Sequence, residues 1–205
     1  MTRQGSRTRR VVRIGLGGLL IAYAAGSVWS VTVQRQFRTA QLREVEERMT
    51  NHAGSLTRVG GRAPRFRITT LDGATLDLAS CQGAPALLVF YDSSCGPCRE
   101  LLQAIQRDVW DRVDHHALRL LVIARGETPD AARDFRRGHG YTFPVAADPS
   151  GRVYALYASD YVPRTYLVDT AGVIVYQCTG FYRGRAPVPR VIALLERSLD
   201  RVKGG

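Results

Sequence analysis

At 205 residues the chain has room for one globular domain and an extension. Its 45% hydrophobic and 23% charged residues exclude wholesale disorder. The net charge of +11 would suggest nucleic acid or an anionic membrane as partner, so its placement matters. Arg3, Arg7, Arg9, Arg10 and Arg13 crowd the first thirteen residues, whereas from Leu56 onward 20 basic side chains face 15 acidic ones, scattered rather than striped. A groove for nucleic acid needs clustered Lys/Arg with interleaved aromatics, and no nucleic-acid partner is expected.

The basic tail, residues 1–13, precedes Ile14 to Val33, twenty residues without a charge and long enough to cross a bilayer as a helix. Arginines before it and a large domain after it predict a cytoplasmic N-terminus and an exported C-terminal domain. A cleaved signal peptide is the competing reading, with Ala22-Tyr23-Ala24 as a small-x-small site and Arg9-Arg10 as a twin-arginine hint. A retained anchor is favoured because the apolar run continues past Ala24 to the interfacial aromatic Trp29. Both readings place the domain where disulfides are permitted. Residues 34–55 follow as a polar stalk, with Glu44 and Arg48 at the i,i+4 spacing of an exposed helix. Gly54, Gly60-Gly61 and Pro64 then mark the linker into a domain spanning 56–205.

Within that domain, short apolar runs alternate with helical stretches, the pattern of an α/β sheet layered by helices. Phe66–Thr70 and Thr75–Leu78 flank the turn Leu71-Asp72-Gly73. Ala86–Tyr91 (ALLVFY) is continuously apolar, as a central strand buried on both faces would be. From Cys98 to about Val113, Leu101, Leu102, Ile105 and Val109 recur at helical spacing, and Leu118–Ala124 reads as a second buried strand. Pro129 to Gly138 reads as a helix capped by Thr128. Arg164–Asp169 and Val173–Cys178 surround Ala171-Gly172 as a hairpin, and Pro187–Val202 closes the chain as an amphipathic helix. The predicted order is a βαβ unit, another helix, a β-hairpin and a final helix.

Chemistry concentrates in Cys95-Gly96-Pro97-Cys98, where the central strand gives way to a helix. Two residues between cysteines bring the sulfurs within disulfide range, and a helix N-terminus offers free N–H groups and positive partial charge to a thiolate. Cys95, the outer sulfur, is expected to attack a substrate disulfide, and Cys98 to resolve the mixed disulfide; run backwards, the same steps insert disulfides. The chemistry calls for no organic cofactor and no metal. A structural zinc would need a second ligand pair, which Cys81, Cys178, His115 and His116 do not form by spacing, and a purely structural disulfide would gain little from so short a loop. Arg99, Asp92, Glu127 and Asp134 read as solvated side chains and His115-His116 as surface. Cys81 and Cys178 read as small packed residues that could also pair with each other.

LLVFYDSSCGPCRELL resembles the active-site strand, turn and helix of thioredoxins, and YVPRTYLVDTAGVIVY resembles their cis-proline segment and hairpin. GRAPRFRITTLDGATLDLAS is similar to the N-terminal hairpin of membrane-anchored thioredoxin-like proteins of the TlpA and ResA type. The resemblance covers about Gly60 to Leu199. It implies a thioredoxin fold, a central mixed sheet flanked by helices with an N-terminal β-hairpin extension. It also implies a cis Pro163 facing the cysteines, with backbone groups of Val162 binding substrate. FYDSSCGPC with VIARGETPDAARDFRRGHGYTFPV is further similar to the methylamine-utilisation protein MauD. Two positions depart from the thioredoxin pattern: Ser94 replaces tryptophan, and Val89 stands where thioredoxin has a buried aspartate that assists proton transfer.

The expected function is therefore thiol-disulfide exchange with exported proteins. Gly96-Pro97, the dipeptide of reducing thioredoxins, points towards a reductase fed by a membrane redox partner, which the tether would concentrate nearby. The alternatives are a disulfide-forming oxidant of MauD type, a peroxiredoxin-like peroxidase, disfavoured because Asp92 occupies the place of that family's threonine, and a copper chaperone or scaffold. Copper(I) favours thiolates, and His139 is the candidate third ligand.

Overall fold

A computed structural model describes residues 54–78, 84–181 and 191–193. The basic tail, the apolar run, nearly all of the stalk, Cys81 and most of the expected closing helix lie outside the described residues. Among the described residues no helix is long and apolar enough to cross a membrane.

The first hairpin pairs β1 (Arg67–Thr69) with β2 (Thr75–Asp77), Ile68 opposite Leu76. Its turn uses Gly73 at φ 85°, a left-handed conformation that glycine adopts without a Cβ clash. The main sheet has the order β5-β4-β3-β6-β7. All six residues of its centre strand, β3 (Ala86–Tyr91), are buried, and β3 runs parallel to β4 (Arg119–Arg125) and antiparallel to β6 (Arg164–Val168). β5 (Val145–Asp148) extends the parallel half, and β7 (Ile174–Thr179) pairs antiparallel with β6. The sheet is thus mixed and the fold thioredoxin-like, with the N-terminal hairpin outside the main sheet.

Alternation along β3 explains its unbroken apolarity. Leu87, Val89 and Tyr91 pack with Cys98, Leu101, Leu102 and Ile105 of helix α1 (Gly96–Ile105) and with Ala132 of helix α2 (Pro129–Gly138). Ala86, Leu88 and Phe90 face the other way, onto Phe66, Tyr154, Tyr157 and Tyr166. The β3-α1-β4 and β4-α2-β5 crossovers place both helices on one face, so the ends of β3 and β4 and the start of α1 meet at a single rim.

Three expectations need correction. β5 was absent from the predicted order: Val-Ala-Ala-Asp between Pro144 and Pro149 is short and poor in β-branched residues, so tertiary pairing with β4 makes it a strand. α1 does not run evenly to Val113; after Ile105 it widens into a π-turn over Gln106–Trp110, with Asp111 N–H donating to Gln106 O. The Gln106 side chain there bonds Asp111 and both Thr142 Oγ1 and Thr142 N–H, tying the helix end to the approach to β5. A 3₁₀ turn over Tyr154–Leu156 was likewise unforeseen. Of the closing helix, residues 191–193 are helical, with Val191 buried against the α1 face.

Candidate active site

Cys95 caps α1. Its backbone is extended (φ −78°, ψ 113°), and its Sγ accepts a hydrogen bond from Cys98 N–H at 3.2 Å. Proline in the first turn removes an N–H that would otherwise lack a partner. Cys95 and Cys98 are joined as a disulfide, their Cα atoms 5.2 Å apart. Cys98 is fully buried and Cys95 half-exposed, so an incoming thiol or disulfide meets Cys95. In the dithiol form the same Cys98 N–H and the α1 dipole are positioned to stabilise a thiolate on Cys95.

The Val162–Pro163 bond is cis, and Val162 O lies 3.7 Å from Cys95 Sγ. Gly96, Pro97, Val162 and Pro163 thus stand around the disulfide as the spacing and the resemblance anticipated, brought together across 67 residues of chain.

The turn leading to Cys95 is held on both sides of Ser93. Ser93 N–H donates to Glu127 Oε1 at 2.5 Å, and Ser93 O accepts from Arg99 Nη1 at 3.1 Å. Glu127 is half-buried, and its Oε2 is shielded without a hydrogen-bond partner. The expectation that Glu127 and Arg99 are merely solvated is therefore corrected: packing of the β4–α2 loop against the turn brings both to the site. Asp92 accepts from Ser94 N–H and Ser94 Oγ and is half-buried, forming an Asx turn at the position where thioredoxins carry tryptophan bulk. Asp134 is exposed and paired with Arg137.

On the opposite side of the disulfide, Arg164 fixes the loop that precedes the cis proline. Only 1% exposed, it donates from Nε and Nη2 to Asp160 O, from Nε to Tyr161 O and from Nη1 to Ser55 Oγ. Tyr154 Oη adds a 2.6 Å bond to Tyr161 O, while Arg125 at the end of β4 covers the Tyr154 ring 4.3 Å from its centroid. Sequence reasoning missed this set; an arginine opening the otherwise apolar run RTYLV was the one signal for a buried cation.

The remaining candidates lie apart. Cys178 is a free, buried thiol whose burial pushes its pKa up, which favours the inert protonated form. His139 tilts against Phe135 and stacks on Tyr141, its Nδ1 2.9 Å from Phe135 O. His115 is exposed and stacks on Trp110. Among the described residues no group of three His, Cys, Asp or Glu is arranged to hold a metal ion.

Residues 59–177 match the AhpC/TSA family. Thiol-disulfide oxidoreductase ResA of Bacillus thuringiensis is 26% identical over 122 residues, covering 60% of this chain and 70% of that protein. A putative protein disulfide isomerase of Bacteroides thetaiotaomicron, known in solution, aligns over 73% of this chain and 93% of its own at TM-score 0.63 and 29% identity. A secreted disulfide oxidoreductase of Mycobacterium tuberculosis covers 62% and 95% at TM-score 0.52 and 25% identity. With the redox pair, the cis proline and the mixed sheet in register with such relatives, the chain belongs to the AhpC/TSA family as a thioredoxin-like thiol-disulfide oxidoreductase of the ResA/TlpA type.

Proposed function

We propose that the protein is a membrane-tethered reductase that works outside the cytoplasm on disulfides of exported proteins. The carrying observation is the half-exposed Cys95 sulfur at the α1 N-terminus, backed by the buried Cys98 and flanked by the Val162 carbonyl. The charge-free run Ile14–Val33 behind five arginines supports the tether and the orientation, and the secreted relative supports the compartment. The Cys95 thiolate attacks one sulfur of the substrate disulfide, whose S–S bond breaks and releases a thiolate that takes up a proton. The Cys98 thiol then loses its proton, and its sulfur attacks Cys95 Sγ, expelling the second substrate thiolate. Two electrons and two protons pass to the substrate, and the Cys95–Cys98 disulfide forms. A membrane donor of electrons is needed to reset it. Val162 backbone groups align the substrate chain beside Cys95.

The test has two parts. Cys98→Ala is expected to accumulate a mixed disulfide with substrate through Cys95, seen by non-reducing electrophoresis, whereas Cys95→Ser abolishes exchange. Equilibration in dithiothreitol or glutathione buffers gives the direction: a potential near that of thioredoxin, about −270 mV, supports a reductase, and one near about −120 mV overturns it in favour of a disulfide-forming oxidant.

A further inference from the structure

Among the described residues, glycine takes the left-handed backbone at eight positions, and the one other residue there is Tyr161, at φ 64°. A bulky L-residue is disfavoured in that region, where glycine or asparagine fits with less strain, so the conformation must be imposed from outside. Its surroundings impose it: Arg164, buried and with no carboxylate partner among the described residues, donates to the carbonyls of Asp160 and Tyr161, and Tyr154 Oη donates again to Tyr161 O. These bonds hold the backbone and make no use of the ring. Yet Tyr161 is 60% exposed, one of the few large hydrophobic side chains left open among the described residues. Its neighbour Val162 brings a carbonyl to 3.7 Å from Cys95 Sγ. Consecutive Cα atoms are about 3.8 Å apart, so the tyrosine sits beside the reacting sulfur. Backbone strain kept at an exposed aromatic next to a reactive centre points to use of the ring in recognition.

We propose that Tyr161 is a specificity-determining residue, packing its ring against an apolar side chain that flanks the reacting cysteine of a polypeptide substrate. The inference uses the exchange activity of this family and rests on the reading that the substrate is a polypeptide. An aromatic ring with two side-chain torsions gives large contact area at small entropic loss, and a flanking apolar residue would be covered as its cysteine reaches Cys95. The Cys95 chemistry itself does not require the ring, so a substrate with no flanking chain is indifferent to it.

The test uses the full chain, reduced, in single-turnover reaction with three probes: a disulfide-linked peptide with Leu and Phe beside its cysteines, the same peptide with Ser at those places, and hydroxyethyl disulfide. Tyr161→Asn removes the ring while keeping a residue that accepts positive φ; Tyr161→Phe keeps the ring. Tyr161→Asn is expected to lower the second-order rate constant for the apolar peptide by about tenfold, as for truncation of an interface aromatic. The serine peptide and hydroxyethyl disulfide stay within about twofold of wild type, and Tyr161→Phe retains the preference. Equal slowing of all three probes by Tyr161→Asn overturns the inference, since it assigns the tyrosine to loop geometry. Equal wild-type rates on the two peptides also overturn it and leave the polypeptide reading standing. Turnover of hydroxyethyl disulfide with neither peptide overturns both.

Discussion

Arg164 carries a full positive charge at 1% exposure, balanced among the described residues by carbonyl and hydroxyl dipoles rather than by a carboxylate. Its planar fork spans Asp160, Tyr161 and Ser55 at once, a geometry that the point charge of lysine cannot reproduce. Arg164→Lys is therefore expected to lose about 2 kcal/mol of stability in urea denaturation, from buried acceptors left without donors, and to slow exchange because the loop before Pro163 loosens. The disulfide itself was legible in the sequence, since two-residue spacing at a strand-to-helix junction states both its geometry and its reactivity. Arg164, Glu127 and Tyr161 were not. Each acts through a tertiary contact with a distant or irregular segment, and no local periodicity records such a contact.

At the scale of elements, β3 decides the architecture. Phe90 on its second face lies 5.4 Å from both Tyr154 and Tyr157 and 6.1 Å from Tyr166, measured between ring centroids, with edge-on or tilted geometry. Phe90→Ala should destabilise the domain by about 3–5 kcal/mol with unchanged chemistry at Cys95 in the folded fraction, measured by urea midpoint and by alkylation of the reduced protein. The strands that read clearly from sequence, β3, β4, β6 and β7, are those rich in Val, Leu, Ile and Tyr. The helix Pro129–Gly138 was legible to its cap, because Thr128 accepts from Ala131 N–H and proline opens the first turn. β5 escaped because two alanines between prolines have no strand preference of their own, and the π-turn escaped because Val109 keeps the apolar spacing of an unbroken helix.

For the whole molecule, burial sets an alkaline limit. Tyr91, Tyr141, Tyr154, Tyr166 and Tyr176 have pKa values raised chiefly by desolvation, and burial likewise raises the Cys178 thiol. Folding thus retains protons that the unfolded chain gives up near its ordinary values, about 8.5 for Cys and about 10 for Tyr. Above those values the unfolded state binds fewer protons than the native one. The contribution is complete below about pH 8 and falls progressively as pH climbs past 10. The urea midpoint at pH 10.5 should accordingly lie below that at pH 7.5, and Tyr176→Phe should reduce the difference. The N-terminal segment shapes the molecule at this scale too. Leu71 N–H donates to Val145 O on β5, while Gly60 N–H donates to Ile174 O and Ile174 N–H to Gly61 O on β7. One stretch of chain laps both margins of the five-stranded sheet, occupying ladder groups to which a foreign strand could otherwise add. Molecules crowded together, or pressed against extended and sticky clients, are thereby denied a template for stacking into fibrils, and contact with other chains is directed to the end of the sheet where the sulfurs lie.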